Sequence, residues 1–202
     1  EDTHKAIDAF LEEGRDVYFA LATFKDPDHP KPRESKNAQA IKSLWIDIDC
    51  GQDKAESGKG YAEKEDAFTA LFAFIEDTLP EPIIVDSGGG LHCYWPFTKD
   101  LTPEEWAPMA EGLRELAQKK GLIIDAGCTT DASRILRVPG TFNYKQEEPR
   151  PVEVLNFRDD IKYDPDALAN LLPKVAPKLL PTKREPSALT KSLMGNRTSL
   201  FK

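Results

Sequence analysis

Two aspartates one residue apart, Asp47 and Asp49, close an apolar run, Leu44-Trp45-Ile46, with Ile48 between them. Such a run reads as a buried strand, and side chains two apart on a strand share a face. Two carboxylates that close repel each other, and one is pushed toward its neutral form unless a cation sits between them. Hard divalent cations are held by such oxygens. A strand end whose aspartates face water has the same pattern, so the decision rests on what accompanies the pair.

A second group is Ser87-Gly88-Gly89-Gly90-Leu91-His92, set between two β-rich runs. Three glycines bare the backbone amides, so that the chain can approach a phosphate, and His92 opens the next strand as a further donor. A plain hairpin turn has the same composition. It is not a nucleotide-binding P-loop, because GxxxxGK[ST] occurs neither here nor at residues 57–60. A third group is IIDAGCTTDASRILRVPGTFNYK, residues 123–145. Asp125 follows an apolar run, as Asp47 does, and Asp131 comes six residues later. Arg134 and Arg137 interrupt a β-rich run, where they must face solvent, acids or an anion. Asn143 and Lys145 follow a Pro139-Gly140 turn. Carboxylates for a divalent cation, with amides, His, Arg and Lys for a triphosphate, are the groups nucleotidyl transfer needs.

These groups must be positioned by a core. Helices are expected over residues 3–14, 62–79, 102–120 and 164–172. The second has Phe68, Leu71, Phe72, Ile75 and Leu79 on one face, and the third has a Thr102 cap, Pro103 and Glu105. Strands are expected over 17–24, 44–49, 82–86, 91–97, 122–125, 135–138 and 152–157. The polar stretch 25–42, with Lys25, Lys31, Arg33, Lys36 and Lys42, reads as a solvated loop or as a loop over the site, and 52–60 reads as a loop. Residues 1–173 are expected to form one domain, and 174–202 a basic Pro/Lys/Ser-rich tail or linker.

The 202 residues carry a net charge of −8. Seven basic residues and one acid from Lys174 onward give the tail +6, against −14 for the rest. That excludes a uniformly basic nucleic-acid binder but leaves room for a local patch. Three scattered cysteines, Cys50, Cys93 and Cys128, fit neither a disulfide framework nor a structural zinc site. No apolar run reaches the length of a membrane helix. The cytoplasm of a bacterium or of a phage-infected host is the expected location.

Together, DID, SGGGLHCYWPF and IIDAGCTTDASRILRVPGTFNYK resemble the archaeo-eukaryotic primase (AEP) superfamily, and within it the primase-polymerase domains of phages and plasmids. The family's acid-x-acid pair matches Asp47 and Asp49. Its turn ending in His matches residues 87–92, and its apolar residue followed by Asp matches Ile124-Asp125. The resemblance implies an α+β fold: an RRM-like antiparallel sheet backed by helices, with a smaller N-terminal αβ unit. It implies DNA primase and polymerase activity with two magnesium or manganese ions on Asp47, Asp49 and Asp125. Asp131 is the other candidate for the third ligand; Asp125 is favoured because the arginine pair then falls at the family's distance. By the same likeness His92 contacts the phosphates of the incoming nucleotide, near Ser87, Gly88, Gly89 and Gly90, with Arg134, Arg137 and Lys145 toward nucleotide or template. The implied partners are a single-stranded DNA template, a primer 3′ end and (d)NTPs. Any helicase would lie on further sequence or on a partner.

Two rivals use parts of the same inventory. A non-catalytic RRM-like module would stack bases on exposed aromatics of its central strands, where this sequence offers acids. A metal-dependent nuclease could use the three carboxylates, but it needs no clamp for a free triphosphate.

Overall fold

A computed structural model describes residues 2–145, 147–156 and 160–175 of the chain. In chain order the elements are α1 (Asp2–Glu12), β1 (Tyr18–Ala20), β2 (Ala22–Phe24), β3 (Ala38–Asp49), α2 (Gln52–Glu56), α3 (Lys64–Ile75), β4 (Ile83–Asp86), β5 (Gly90–Leu101), α4 (Pro103–Lys120), α5 (Ala126–Thr129), β6 (Ile135–Arg137), β7 (Phe142–Asn143), β8 (Arg150–Pro151), β9 (Glu153–Val154) and α6 (Pro165–Leu171). Of the expected tail, 176–202 lies outside the described residues.

The main sheet is antiparallel, in the order β2-β3-β5-β4-β9. Its two long central strands, β3 and β5, are the ones that carry the acid pair and His92. The register places Asp47 directly opposite His92, Ile46 opposite Cys93 and Ile48 opposite Leu91. Directly paired residues lie on the same side of a sheet. Ile46, Ile48, Leu91, Cys93 and, through β4, Ile84 therefore share one face, and all are buried in the core. Asp47, Asp49 and His92 share the other. Helices α3 and α4 bury Leu71, Phe74, Leu113 and Leu116 in the same core. Trp45 stacks on Trp106 with ring centroids 4.8 Å apart, and its Nε1 donates to Cys128 O. The N-terminal αβ segment joins the body twice: β2 extends the main sheet, and β1 forms a two-stranded ribbon with β6.

Helix α4 begins and ends as its sequence predicts, with a Thr102–Glu105 capping box and Gly121 in the left-handed region. Other expectations need correction. β3 starts at Ala38, so the supposed loop 25–42 supplies nearly half of a central strand; Ile41 is fully buried there and Lys42 pairs with Asp100. Residues 52–56 form α2 rather than loop. Helix α3 stops at Ile75, and Phe72, expected on the buried face, is exposed and stacked on Phe68. Residues 122–125 form no strand: after Gly121 the chain makes one backbone bond to β3, from Asp125 N to Asp47 O at 2.8 Å, and then turns into α5. The run 152–157 is not one strand either: β8 pairs with β7 and β9 pairs with β4 on either side of buried Val152, and 157–159 are outside the described residues. The body extends at least to Pro173, since a Cβ at Gly112 of α4 would come within 2.7 Å of Pro173 O.

The glycine turn has a packing reason of its own. Gly90 sits at φ +156°, and a Cβ there would lie 1.9 Å from Ile48 O, inside the β3–β5 pair. Gly88, at φ +75°, backs onto Asn143 and Arg150. Gly90→Ala should cost at least about 3 kcal/mol, because backbone of a central strand must move to admit the methyl. Thermal melting checks this, and an unchanged melting temperature would mean the strands separate there without penalty.

Candidate functional site

On the face that carries Asp47, a cavity of about 390 Å³ is lined by Asp47, Asp49, His92, Asp125, Arg134, Arg137 and Lys145, with Tyr18, Lys54, Ile135 and Leu136. The central strands supply the acid pair and His92. The β1–β6 ribbon supplies Tyr18, Ile135, Leu136 and Arg137, and the turn into α5 supplies Asp125. Seven of the residues singled out from the sequence thus come together. Ser87, Gly88, Gly89 and Gly90 do not line this cavity. Ser87 is buried, its carbonyl accepts from Asn143 Nδ2, and Gly89 lines a neighbouring cavity with Lys64 and Arg150. None of the five basic residues of 25–42 lines it.

Asp47 is the least exposed of the three carboxylates. Burial, then the nearby charges of Asp49 and Asp125, push its pKa up to about 7. Its side chain keeps 22% exposure, toward the cavity. The other two acids are held by cations: Lys54 Nζ lies 2.9 Å from Asp49 Oδ2, and Arg134 Nη2 lies 3.0 Å from Asp125 Oδ2. Asp125 Oδ1 also accepts from Cys128 N, capping α5. The Nε of Arg134 is buried without an acceptor among the described residues. Arg137, 7% exposed, is fastened to Asp16 Oδ1 at 3.2 Å and to the Tyr18 hydroxyl at 3.1 Å. Burial of Asp16 works against its charge, but bonds from Arg137 and the Tyr144 amide outweigh it and hold its pKa below the usual value.

His92 is buried, and its pKa falls to about 3, first through burial and then through the charge of Arg137. It is therefore neutral at working pH, and the 3.8 Å approach of its Nε2 to Asp47 Oδ1 is not an ion pair. Its Nδ1 lies 3.3 Å from the Tyr94 hydroxyl. With that hydroxyl as donor, the imidazole carries its proton on Nε2, the nitrogen near Asp47.

Asp131 is occupied elsewhere. Its Oδ1 accepts from the Ser133 amide and hydroxyl and from the Ser35 hydroxyl, and it does not line the cavity. Burial raises its pKa, but those bonds outweigh it and keep it charged. Sequence reasoning missed Lys54, because 52–60 read as loop, and it missed Asp16, Tyr18 and Tyr94. A lysine five residues beyond an acid pair, in a run of good helix formers, was the available signal for the first. The others depend on pairings across the fold.

Asp47, Asp49 and Asp125 are the residues that would hold a divalent cation such as magnesium or manganese. The oxygens are hard, and the repulsion felt by Asp47 is what a divalent cation would relieve. Asp49 and Asp125 are each paired with a cation, Lys54 and Arg134, and among the described residues no three His, Cys, Asp or Glu side chains form a ready-made ligand set.

No family model matches the chain. A curated relative described as "Replication protein", from Clostridium perfringens, is 27% identical over 172 residues, covering 84% of this chain. The chain spans 38% of that relative's length. Among solved structures, the AEP domain of the cyanophage S-2L primase-polymerase (PrimPol) superposes with a TM-score of 0.58 at 17% identity, over 84% of this chain and 76% of that one. The chain therefore has the fold of an AEP domain, as its motifs led one to expect. No helix of the described residues is long and apolar enough to cross a membrane.

Proposed function

We propose that this chain is the nucleotidyl-transfer domain of a phage or plasmid DNA primase-polymerase, adding (d)NTPs to a 3′-hydroxyl on a single-stranded template. The observation that carries this is the joining, in one cavity of an AEP fold, of three carboxylates with His92 and four cations. Asp47, Asp49 and Asp125 would hold magnesium or manganese, which when bound supplies activation of the 3′-hydroxyl and neutralises charge on the leaving pyrophosphate. His92, neutral and directed from β5, donates to a phosphate oxygen. Arg134 brings its unused Nε–H, and Arg137, locked by Asp16 and Tyr18, brings a fixed positive charge that needs no reordering during reaction. Lys145, exposed and lining the same cavity, would meet template or nucleotide.

The cations weigh against the nuclease alternative, which has no free triphosphate to clamp. The acids on the central strands weigh against a simple base-stacking module. Incubation with single-stranded DNA, labelled nucleotides and manganese, with and without a primer, tests the proposal. Incorporation is the expected result; DNA cleavage without incorporation would establish the nuclease instead.

The third ligand has its own test. Asp125→Asn should reduce extension as severely as Asp47→Asn. Asp131→Asn should leave extension nearly intact and lower stability by about 1 kcal/mol through its lost hydrogen bonds. The reverse order in side-by-side extension and melting assays would reassign the ligand.

A further inference from the structure

We propose that Lys54 is a placeholder for the divalent cation: it occupies Asp49 in the free protein, is displaced when the cation binds, and then donates to the nucleotide's triphosphate. This rests on the proposed nucleotidyl-transfer site and adds a phosphate-binding residue to it.

The geometry of the 51–61 loop carries the inference. Gly51 N donates to Tyr61 O at 2.8 Å, and Tyr61 N donates to Asp49 O at 3.0 Å, so the loop is closed onto the end of β3. Close approach makes Gly60 obligatory, since a Cβ there would lie 2.2 Å from Asp49 O. Within the closed loop, α2 fixes the Lys54 backbone five residues beyond Asp49, while the side chain stays 36% exposed at the cavity wall. The loop thus delivers a long, movable cation to a fixed place beside the acid pair. An exposed pair of this kind is weak, on the order of 1 kcal/mol or less, so a divalent cation displaces it readily. Once displaced, the ammonium stays tethered beside Asp49, where a cation-bound triphosphate would present its oxygens. Arg137 cannot play this part, because Asp16 and Tyr18 hold its guanidinium.

A placeholder competes with the metal and assists the nucleotide, so its removal must move two affinities in opposite directions. A merely structural lysine would not do that. Binding of Mn²⁺ alone, and of a non-hydrolysable dNTP with Mn²⁺ present, is measured by calorimetry on the full chain. Lys54→Met should bind Mn²⁺ up to about fivefold more tightly. It should bind the nucleotide about tenfold or more weakly, as expected for one lost charge-assisted bond. Lys54→Arg should restore nucleotide binding. Thermal melting of each variant shows whether it is folded, and Lys54→Gln replaces Lys54→Met if the latter is not. If Mn²⁺ binding is unchanged or weaker, or nucleotide binding is unaffected, the placeholder role is wrong while the proposed site stands. If the wild-type chain, or its Asp49→Asn variant, shows that Mn²⁺ does not use the acid pair, the proposed site and the placeholder fall together.

Discussion

Asp47→Asn is expected to abolish nucleotide incorporation and, at pH 8 without divalent cation, to make the protein more resistant to heat. Both effects follow from one carboxylate. Loss of a direct metal ligand should exceed the roughly 10–100-fold typical of outer-shell partners. The gain in stability follows from the raised pKa, about 7 in the fold against 3.8 for the unperturbed group. Between those values the folded state binds the proton and the unfolded state does not, so stability falls as pH rises through the window. Above about pH 7 the penalty is complete, and below about pH 4 it is gone. Asparagine removes the penalty, so its benefit should be a rise of a few degrees at pH 8 that shrinks to nothing near pH 4. Manganese should raise the melting temperature of the wild-type chain at pH 8 and have little effect on the variant. A variant that melts lower at pH 8 would show that Asp47 serves the fold as a hydrogen-bonding group. Retained incorporation would remove it from the metal site.

His92→Ala is expected to keep the fold and metal binding but to lose on the order of 100-fold or more in extension rate, in apparent nucleotide KM, or in both. A single positioned donor to a developing negative charge has that value in a site shielded from water. His92 meets the condition because the Asp47–His92 register places it beside the acid pair and burial keeps it neutral. A corollary concerns pH. Since its folded pKa lies near 3, far below the 6.5 of a free imidazole, the rate should show no inflection near 6.5 that disappears in the alanine variant. Template affinity without nucleotide should change little. Wild-type kinetics, or lost DNA binding with intact nucleotide binding, would place His92 outside the reaction.

Much of this site was legible in the sequence because its parts are local. Asp47 and Asp49 share a face through the two-residue period of a strand, and Leu44, Ile46 and Ile48 mark the opposite face as core. Thr102, Pro103, Glu105 and Gly121 mark the ends of α4 by the hydrogen bonds that helix ends need. The resemblance of three short motifs foretold the fold. Where neighbours in sequence did not decide the outcome, the sequence misled. Residues 38–42 are polar enough to read as loop, but β2 and β5 flank them and Ile41 is buried. The stretch 122–125 is apolar enough to read as strand, but only Asp125 reaches β3, and the capping of α5 competes for it. The glycines of 88–90 read as room for a phosphate; the fold adds a packing reason the sequence did not show, since Gly88 and Gly90 admit other parts of the chain itself.

Tertiary structure alone decided the electrostatics. Arg137 meets Asp16 across 121 positions, Lys54 closes onto Asp49 through a looped-back Tyr61, and Asp131 is drawn to Ser35 and away from the cavity. Which acid is left charged, which is forced toward neutrality and which cation remains movable depends on burial and on distances between segments remote in sequence. A strand's period is set by its own backbone; its partners are set by how the whole core packs.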